Sequence, residues 1–271
     1  MKPSAVRAIM RLLLFLGVNA LWLPAYWACN GPLRGWKRPI QVNWSKICCR
    51  LTGLRVRSLG DPGKARTTLF VCNHVSYLDI PVLSERVDAT YIAKSEVGSW
   101  PLFGSIARVT NAILVKRDGR DVGAQRGEIQ ARLLSGESLI LFPEGTSTDG
   151  SGVAPFKTSL FGIVQGMPPE ADIVIQPVSL AYPRYADGTR LDGPLRELYC
   201  WFGDATLMPH LFRVFGLEGA EVEVRFHEPI PVGPSPDRKE LARRSQAAVA
   251  AGVAEANGAI DEEPRNRATS M

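Results

Sequence analysis

An α/β fold with a mostly parallel central sheet flanked by helices is the class this sequence predicts, on three observations. Short runs rich in Val, Ile, Leu and Phe recur along the chain, and helix-patterned segments alternate with them. The runs are also continuously apolar, where a half-exposed strand would alternate with polar residues. Continuous apolar runs suit strands covered on both faces, as parallel sheets require.

The strand candidates are residues 68–72, 89–93, 112–116, 139–142, 173–180 and 222–226. Helix candidates fall between them at 78–84, 101–109, 123–134 and 155–166, with an Ala-rich helix over 237–257. Residues 183–219 are dotted with Gly, Pro and aromatic residues without a clean period, which predicts a long excursion or lid. Nothing in the composition divides the globular part, so one unit is expected over 55–257, followed by a frayed tail over 258–271.

The first 54 residues read differently. Residues 12–29, LLLFLGVNALWLPAYWAC, are eighteen without a charge, close to the lower limit for a bilayer span. Lys2, Arg7 and Arg11 precede the run, and Arg34, Lys37 and Arg38 follow it, so the charge bias that orients a single span is missing. Pro24 interrupts the run; Trp22, Tyr26, Trp27 and Trp36 lie where interfacial aromatics sit; and residues 42–54 form a short amphipathic segment. These features favour a membrane-associated helical hairpin over 1–54, dipping into one leaflet with both ends on the cytoplasmic side, over a full crossing.

The chain has 271 residues, 45% of them apolar and 22% charged, which excludes a disordered protein. A net charge of +5 suits an anionic partner. The basic residues are spread along the chain instead of forming a stripe, which argues against nucleic acid. The five cysteines stand in apolar contexts without metal-ligand spacing, so buried, reduced thiols are expected.

Candidate chemistry gathers where apolar runs end. The segment TTLFVCNHVSYLD carries one of only three histidines, His74, with Asp79 five positions on. On a regular helix those residues would stand about 140° apart, because each residue turns about 100°. They can meet only if His74 lies in a strand-to-helix turn and Asp79 in the first turn of the helix. A carboxylate there fixes the imidazole tautomer and raises the basicity of the other nitrogen, which is what a general base needs. Alone, such a pair is a weak signal.

Two further runs end in the same way. LILFPEGTSTDG leaves Glu144 and Gly145 at a strand mouth, and NAILVKRDGR ends in Lys116, Arg117 and Arg120, which suit an anionic head group. Ser76 has no GxSxG elbow around it, so it reads as a turn or helix N-cap residue and not as a nucleophile.

Taken together, these stretches resemble the glycerolipid acyltransferases, the family that includes 1-acylglycerol-3-phosphate acyltransferases. NHVSYLD is similar to its NHX4D signature, and FPEGTSTDGSGVAPFK to its FPEGT block and downstream PFK. AKSEVGSWPLFGSIARVTNAILVKR resembles the middle block, and IVIQPVSL the last, in order over 67–182. The resemblance implies His74 as general base, oriented by Asp79, taking a proton from a substrate hydroxyl that attacks an acyl thioester on acyl carrier protein or coenzyme A. It implies Arg117 and Lys94 as head-group ligands, Glu144, Gly145 and Thr146 at the acceptor site, and Pro177 shaping the pocket. It implies no cofactor, metal or covalent acyl-enzyme, and membrane lipids as partners at a bacterial inner (cytoplasmic) membrane, with the catalytic domain on its cytoplasmic face.

Ser147 stands where phosphate-handling members carry an arginine, and Asn111 where a glycine is common. The first departure, with the phrases NHVSYLDI, AKSEV, WPLFG and EGTSTDG, resembles the bacterial lyso-ornithine lipid acyltransferases, whose acceptor has no phosphate. A thioester hydrolase using the same pair, or a catalytically silent scaffold, is the alternative reading.

Overall fold

The computed structural model describes residues 1–31, 33–63, 67–116 and 122–258. The expected tail beyond Gly258, together with Arg117 and Arg120, lies outside the described residues. In chain order the elements are α1 (Ala5–Ala28), α2 (Lys37–Leu51), β1 (Leu54–Leu59), β2 (Thr67–Cys72), α3 (Asp79–Arg86), β3 (Thr90–Lys94), α4 (Phe103–Val109) and β4 (Ile113–Val115). There follow α5 (Val122–Leu134), β5 (Leu139–Leu141), β6 (Ile173–Tyr185), α6 (Leu207–Gly216), β7 (Ala220–Phe226), β8 (Ile230–Pro231) and α7 (Arg238–Gly258).

The strands form one eight-stranded sheet in the order β1-β7-β6-β2-β5-β3-β4, with β8 paired to β6. Among the paired strands of the described residues, only β6–β7 and β6–β8 run antiparallel. The centre is the parallel trio β6-β2-β5, in which Leu69 sits beside Leu139 on one side and Ile175 on the other. Every residue of β2 is buried. Leu69 and Val71 pack towards Leu133 and Val249 on α5 and α7. Phe70 and Cys72 pack the opposite way, with Val82 of α3 and Val214 of α6. This two-sided burial is why the run TTLFVC shows no polar alternation, and each such leucine shielded from water contributes about 2 kcal/mol. All five cysteines are buried thiols.

Three expectations need correction. The predicted helix at 155–166 is a short 3₁₀ stretch, Thr158–Val164, which turns tightly enough to bury Phe161, Gly162, Ile163 and Val164 in succession. Residues 183–219 make the long excursion expected, from the end of β6 through α6 to β7, but not as a lid standing clear of the core: Leu191, Tyr199, Val214 and Leu217 fill it. The amphipathic segment expected over 42–54 stops at Leu51. Gly53 then turns the chain into β1 at φ +72, where a Cβ would lie 2.3 Å from the Glu218 carbonyl oxygen.

The first two helices form a hairpin packed on this unit. α1 continues past Pro24 and lays one stripe, Ala8, Phe15, Trp22 and Tyr26, against its neighbours. Trp22 stacks on Trp44 of α2 at 4.6 Å, and Asn19 accepts the Trp44 indole hydrogen bond at 3.2 Å. The flanking cations serve helix ends. Arg11 donates to the carbonyls of Phe215 and Leu217 at the end of α6, and Arg38 to those of Ser84 and Val87 at the end of α3. The outer face of α1 stays apolar and open, with Leu13 64% and Leu21 78% exposed.

Candidate active site

Because β2, β5, β3 and β4 are parallel, their carboxyl ends share one edge of the sheet, the place where α/β folds put ligands. His74 and Glu144 follow the ends of β2 and β5. Lys94 closes β3, half-buried, and Arg117 follows β4 beyond the described residues.

Backbone and side-chain hydrogen bonds fix the turn between β2 and α3. Asn73 is buried and paired with β6 in both directions, donating to the Leu180 carbonyl and accepting from its amide, each at 2.8 Å. Its side chain thereby acts as a peptide-like link just where β2 stops. The His74 amide donates to Glu144 Oε1 at 2.7 Å, and the His74 carbonyl accepts from the Thr148 amide at 2.9 Å. The imidazole stacks on Phe142, centroids 4.2 Å apart, and its side chain is 21% exposed.

Asp79 is the first residue of α3 and wholly buried. Its Oδ2 lies 2.7 Å from His74 Nδ1 and also accepts the amides of Val75 at 2.9 Å and Ser76 at 3.0 Å. Its Oδ1 accepts the Tyr182 hydroxyl at 3.0 Å. Burial and the adjacent carboxylate push the Tyr182 phenol well above its ordinary range, so it stays protonated and donates. These contacts hold the carboxylate in one orientation at the start of the helix. With Asp79 accepting, Nδ1 carries the hydrogen and Nε2 offers its lone pair. Ser76 is a turn residue; Leu78 occupies the N-cap of α3, and the Ser76 hydroxyl is buried without a partner among the described residues.

Glu144 is 3% exposed and spends both oxygens on backbone amides, His74 at Oε1 and Ala154 at Oε2, each at 2.7 Å. Burial raises its carboxyl to about 7, against the opposing pull of those amides. Gly145 turns at φ +69 and Thr146 is exposed beside it. Pro177 lies inside β6, where a missing amide would ordinarily break a ladder. Its carbonyl accepts from His227, on the side where β6 changes partner from β8 to β7, so its nitrogen faces a gap in the pairing.

The structure adds residues that the sequence pattern did not single out: Asn73 as a link, Phe142 as the floor under the imidazole, Tyr182 on Asp79, and Lys157 beside Gly145. The signals were present but diffuse. Tyr182 stands just after the IVIQPVSL block and Lys157 ends the PFK.

Comparison with known proteins bears on this geometry. A family model described as Acyltransferase matches residues 55–181. The chain is 42% identical over 213 residues to a lyso-ornithine lipid O-acyltransferase of Brucella abortus, covering 77% of this chain and 79% of that one. It is 28% identical over 197 residues to a 1-acyl-sn-glycerol-3-phosphate acyltransferase of Neisseria gonorrhoeae, covering 72% of each. A solved structure of a 1-acyl-sn-glycerophosphate acyltransferase from Thermotoga maritima shares the fold, with a TM-score of 0.59 at 21% identity over 93% of this chain and 98% of that one.

Proposed function

This chain belongs to the acyltransferase family, and from that premise we propose that it moves a fatty acyl group from a thioester to the hydroxyl of a lysolipid in membrane lipid synthesis. The observation that carries the reading is the 2.7 Å contact between His74 Nδ1 and a buried, fully bonded Asp79 at the carboxyl edge of the sheet.

In the proposed reaction Nε2 of His74 takes the hydroxyl proton as the oxygen attacks the thioester carbonyl carbon. The tetrahedral intermediate collapses, breaking the carbon–sulfur bond. The imidazolium then returns its proton to the leaving thiolate, so His74 ends as it began. Asp79 stays ionised throughout and stabilises the imidazolium. No resident cofactor enters; acyl carrier protein or coenzyme A brings the acyl group. In this reading Lys94 and Arg117 serve as ligands for the acceptor's head group, with Gly145, Thr146 and Pro177 lining its pocket. Glu144 acts through the turn, since both its oxygens are committed to backbone amides.

A lyso-ornithine lipid is the acceptor we favour over lysophosphatidic acid. Ser147 removes an arginine suited to phosphate, and the Brucella relative carries that name. The open apolar face of α1 supports association with the cytoplasmic leaflet of a bacterial inner membrane. α1 is docked along its length, from Ala8 to Tyr26, which suits a helix lying in the interface more than one crossing it.

The test offers purified protein acyl-ACP with lyso-ornithine lipid and lysophosphatidic acid side by side. Acyl transfer to the first is expected. Thioester loss that is indifferent to either acceptor would identify a hydrolase, and a strong preference for the phosphate would discard the argument from Ser147.

A further inference from the structure

The turn after β5 contains no cation of its own, because serine stands at position 147. The fold brings one from ten residues downstream. The Lys157 amide donates to the Pro143 carbonyl at 3.0 Å, and the amide of its buried neighbour Phe156 donates to Gln246 Oε1 at 2.9 Å. The backbone at Lys157 is therefore pinned to the FPEG turn. Its side chain lies across the bare α-carbon of Gly145: a Cβ built there would stand 2.6 Å from Nζ, 3.2 Å from Cε and 3.4 Å from Cδ. Glycine at 145 thus serves two needs, the left-handed backbone and room for this stem.

The ammonium at the end of that stem is available. Lys157 is exposed, and among the described residues it joins no ion pair. Glu144, the carboxylate next to Gly145, turns both oxygens to backbone amides instead. The amide of His74 is one of those two donors, so Lys157 stands one residue along the turn from the group that touches the catalytic loop.

We propose that Lys157 determines acceptor specificity by holding the single anionic carboxylate of an amino-acid head group. A lone ammonium is a compact point charge that matches a monoanion, whereas a phosphate dianion is better served by the bidentate fork of an arginine. The proposal rests on the lysolipid reading above and deepens it: with serine at 147, Lys157, which ends the PFK, is the one cation in the stretch from Phe142 to Lys157.

The test uses the full-length enzyme at saturating acyl-ACP. It compares wild type, Lys157→Met and Lys157→Arg on lyso-ornithine lipid and on its carboxyl methyl ester. Methionine keeps the stem over Gly145 and removes the charge. For the free carboxylate, Lys157→Met is expected to raise the acceptor KM about ten- to a hundredfold with little change in kcat, as for a lost charge-assisted hydrogen bond. Lys157→Arg is expected to recover part of the loss, and for the methyl ester the penalty should shrink to within about twofold. An equal penalty on both acceptors would overturn the proposal and make Lys157 a support of the turn. In a parallel series with acyl-ACP varied at fixed acceptor, a rise confined to the KM for acyl-ACP would overturn it in favour of a donor contact. The broader lysolipid reading is judged separately, by whether wild type acylates either acceptor. Wild-type preference for lysophosphatidic acid over both would discard the carboxylate assignment while leaving acyl transfer intact.

Discussion

Tyr182 donates its buried hydroxyl to Asp79 Oδ1 at 3.0 Å, while the other oxygen of that carboxylate meets His74 at 2.7 Å. A residue on β6 therefore helps to orient the dyad carried by the turn after β2. Asp79→Asn replaces one accepting oxygen with an amide donor and disturbs the tautomer, so kcat is expected to fall by ~10²–10⁴. Tyr182→Phe removes one hydrogen bond to a charged group, worth about 1.5–3 kcal/mol, so a loss of about ten- to a hundredfold in kcat is expected with the acceptor KM nearly unchanged. Steady-state rates with near-ultraviolet dichroism as a folding control check both. Full activity in Asp79→Asn would refute the dyad.

Glu144 offers a different test, because its oxygens bind amides on two segments. In Glu144→Gln a side-chain NH₂ must face a backbone N–H, at a cost of about 1–3 kcal/mol. A fall in kcat with an unchanged acceptor KM is expected. A rise in KM alone would make Glu144 a substrate ligand.

His210 of α6 gives the protein a pH dependence of stability. Burial, aided by Arg213, lowers its imidazole from 6.5 to about 4, and the ring nitrogen Nδ1 lies 2.9 Å from the Tyr77 hydroxyl. The unfolded chain binds the proton more readily, so this contribution is complete above pH 6.5 and is lost as pH falls towards 4. Glu144, raised to about 7, acts in the opposite sense over much of that range, so the test is a comparison of two proteins: between those limits the wild-type denaturant midpoint should rise more steeply with pH than that of His210→Gln. An unchanged slope would contradict a neutral, buried His210.

The open face of α1 predicts vesicle binding. Leu13→Asp with Leu21→Asp should release the protein from anionic liposomes in a flotation assay while leaving its thermal midpoint nearly unaltered, since both leucines are exposed. Undiminished flotation would show that the membrane contact lies elsewhere.

Much of the fold was legible locally. The central strands announce themselves because burial on both faces demands unbroken apolar runs, as in residues 69–72, and α3 and α5 show their helical patterning. β1 escaped because LRVRSL carries two arginines, and its pairing with β7 is a contact between distant parts of the chain. Of the excursion or lid expected over 183–219, the lid alternative failed for a related reason. Tyr199 and Leu217 look like loop aromatics and aliphatics until the sheet supplies the surface that buries them.

By itself, then, the sequence determined the sheet's parallel centre, the turn that can bring His74 to Asp79, and the amphipathic character of the second N-terminal helix, because periodicity and turn chemistry act over a few residues. Only the tertiary structure decided that Tyr182 completes the shell of Asp79, that Glu144 ties down the turn of His74, that Arg11 caps α6, and that Lys157 lies across Gly145. These contacts join residues that are far apart in the chain or meet across a turn. Their geometry is set by strand order and helix packing, which no local pattern encodes.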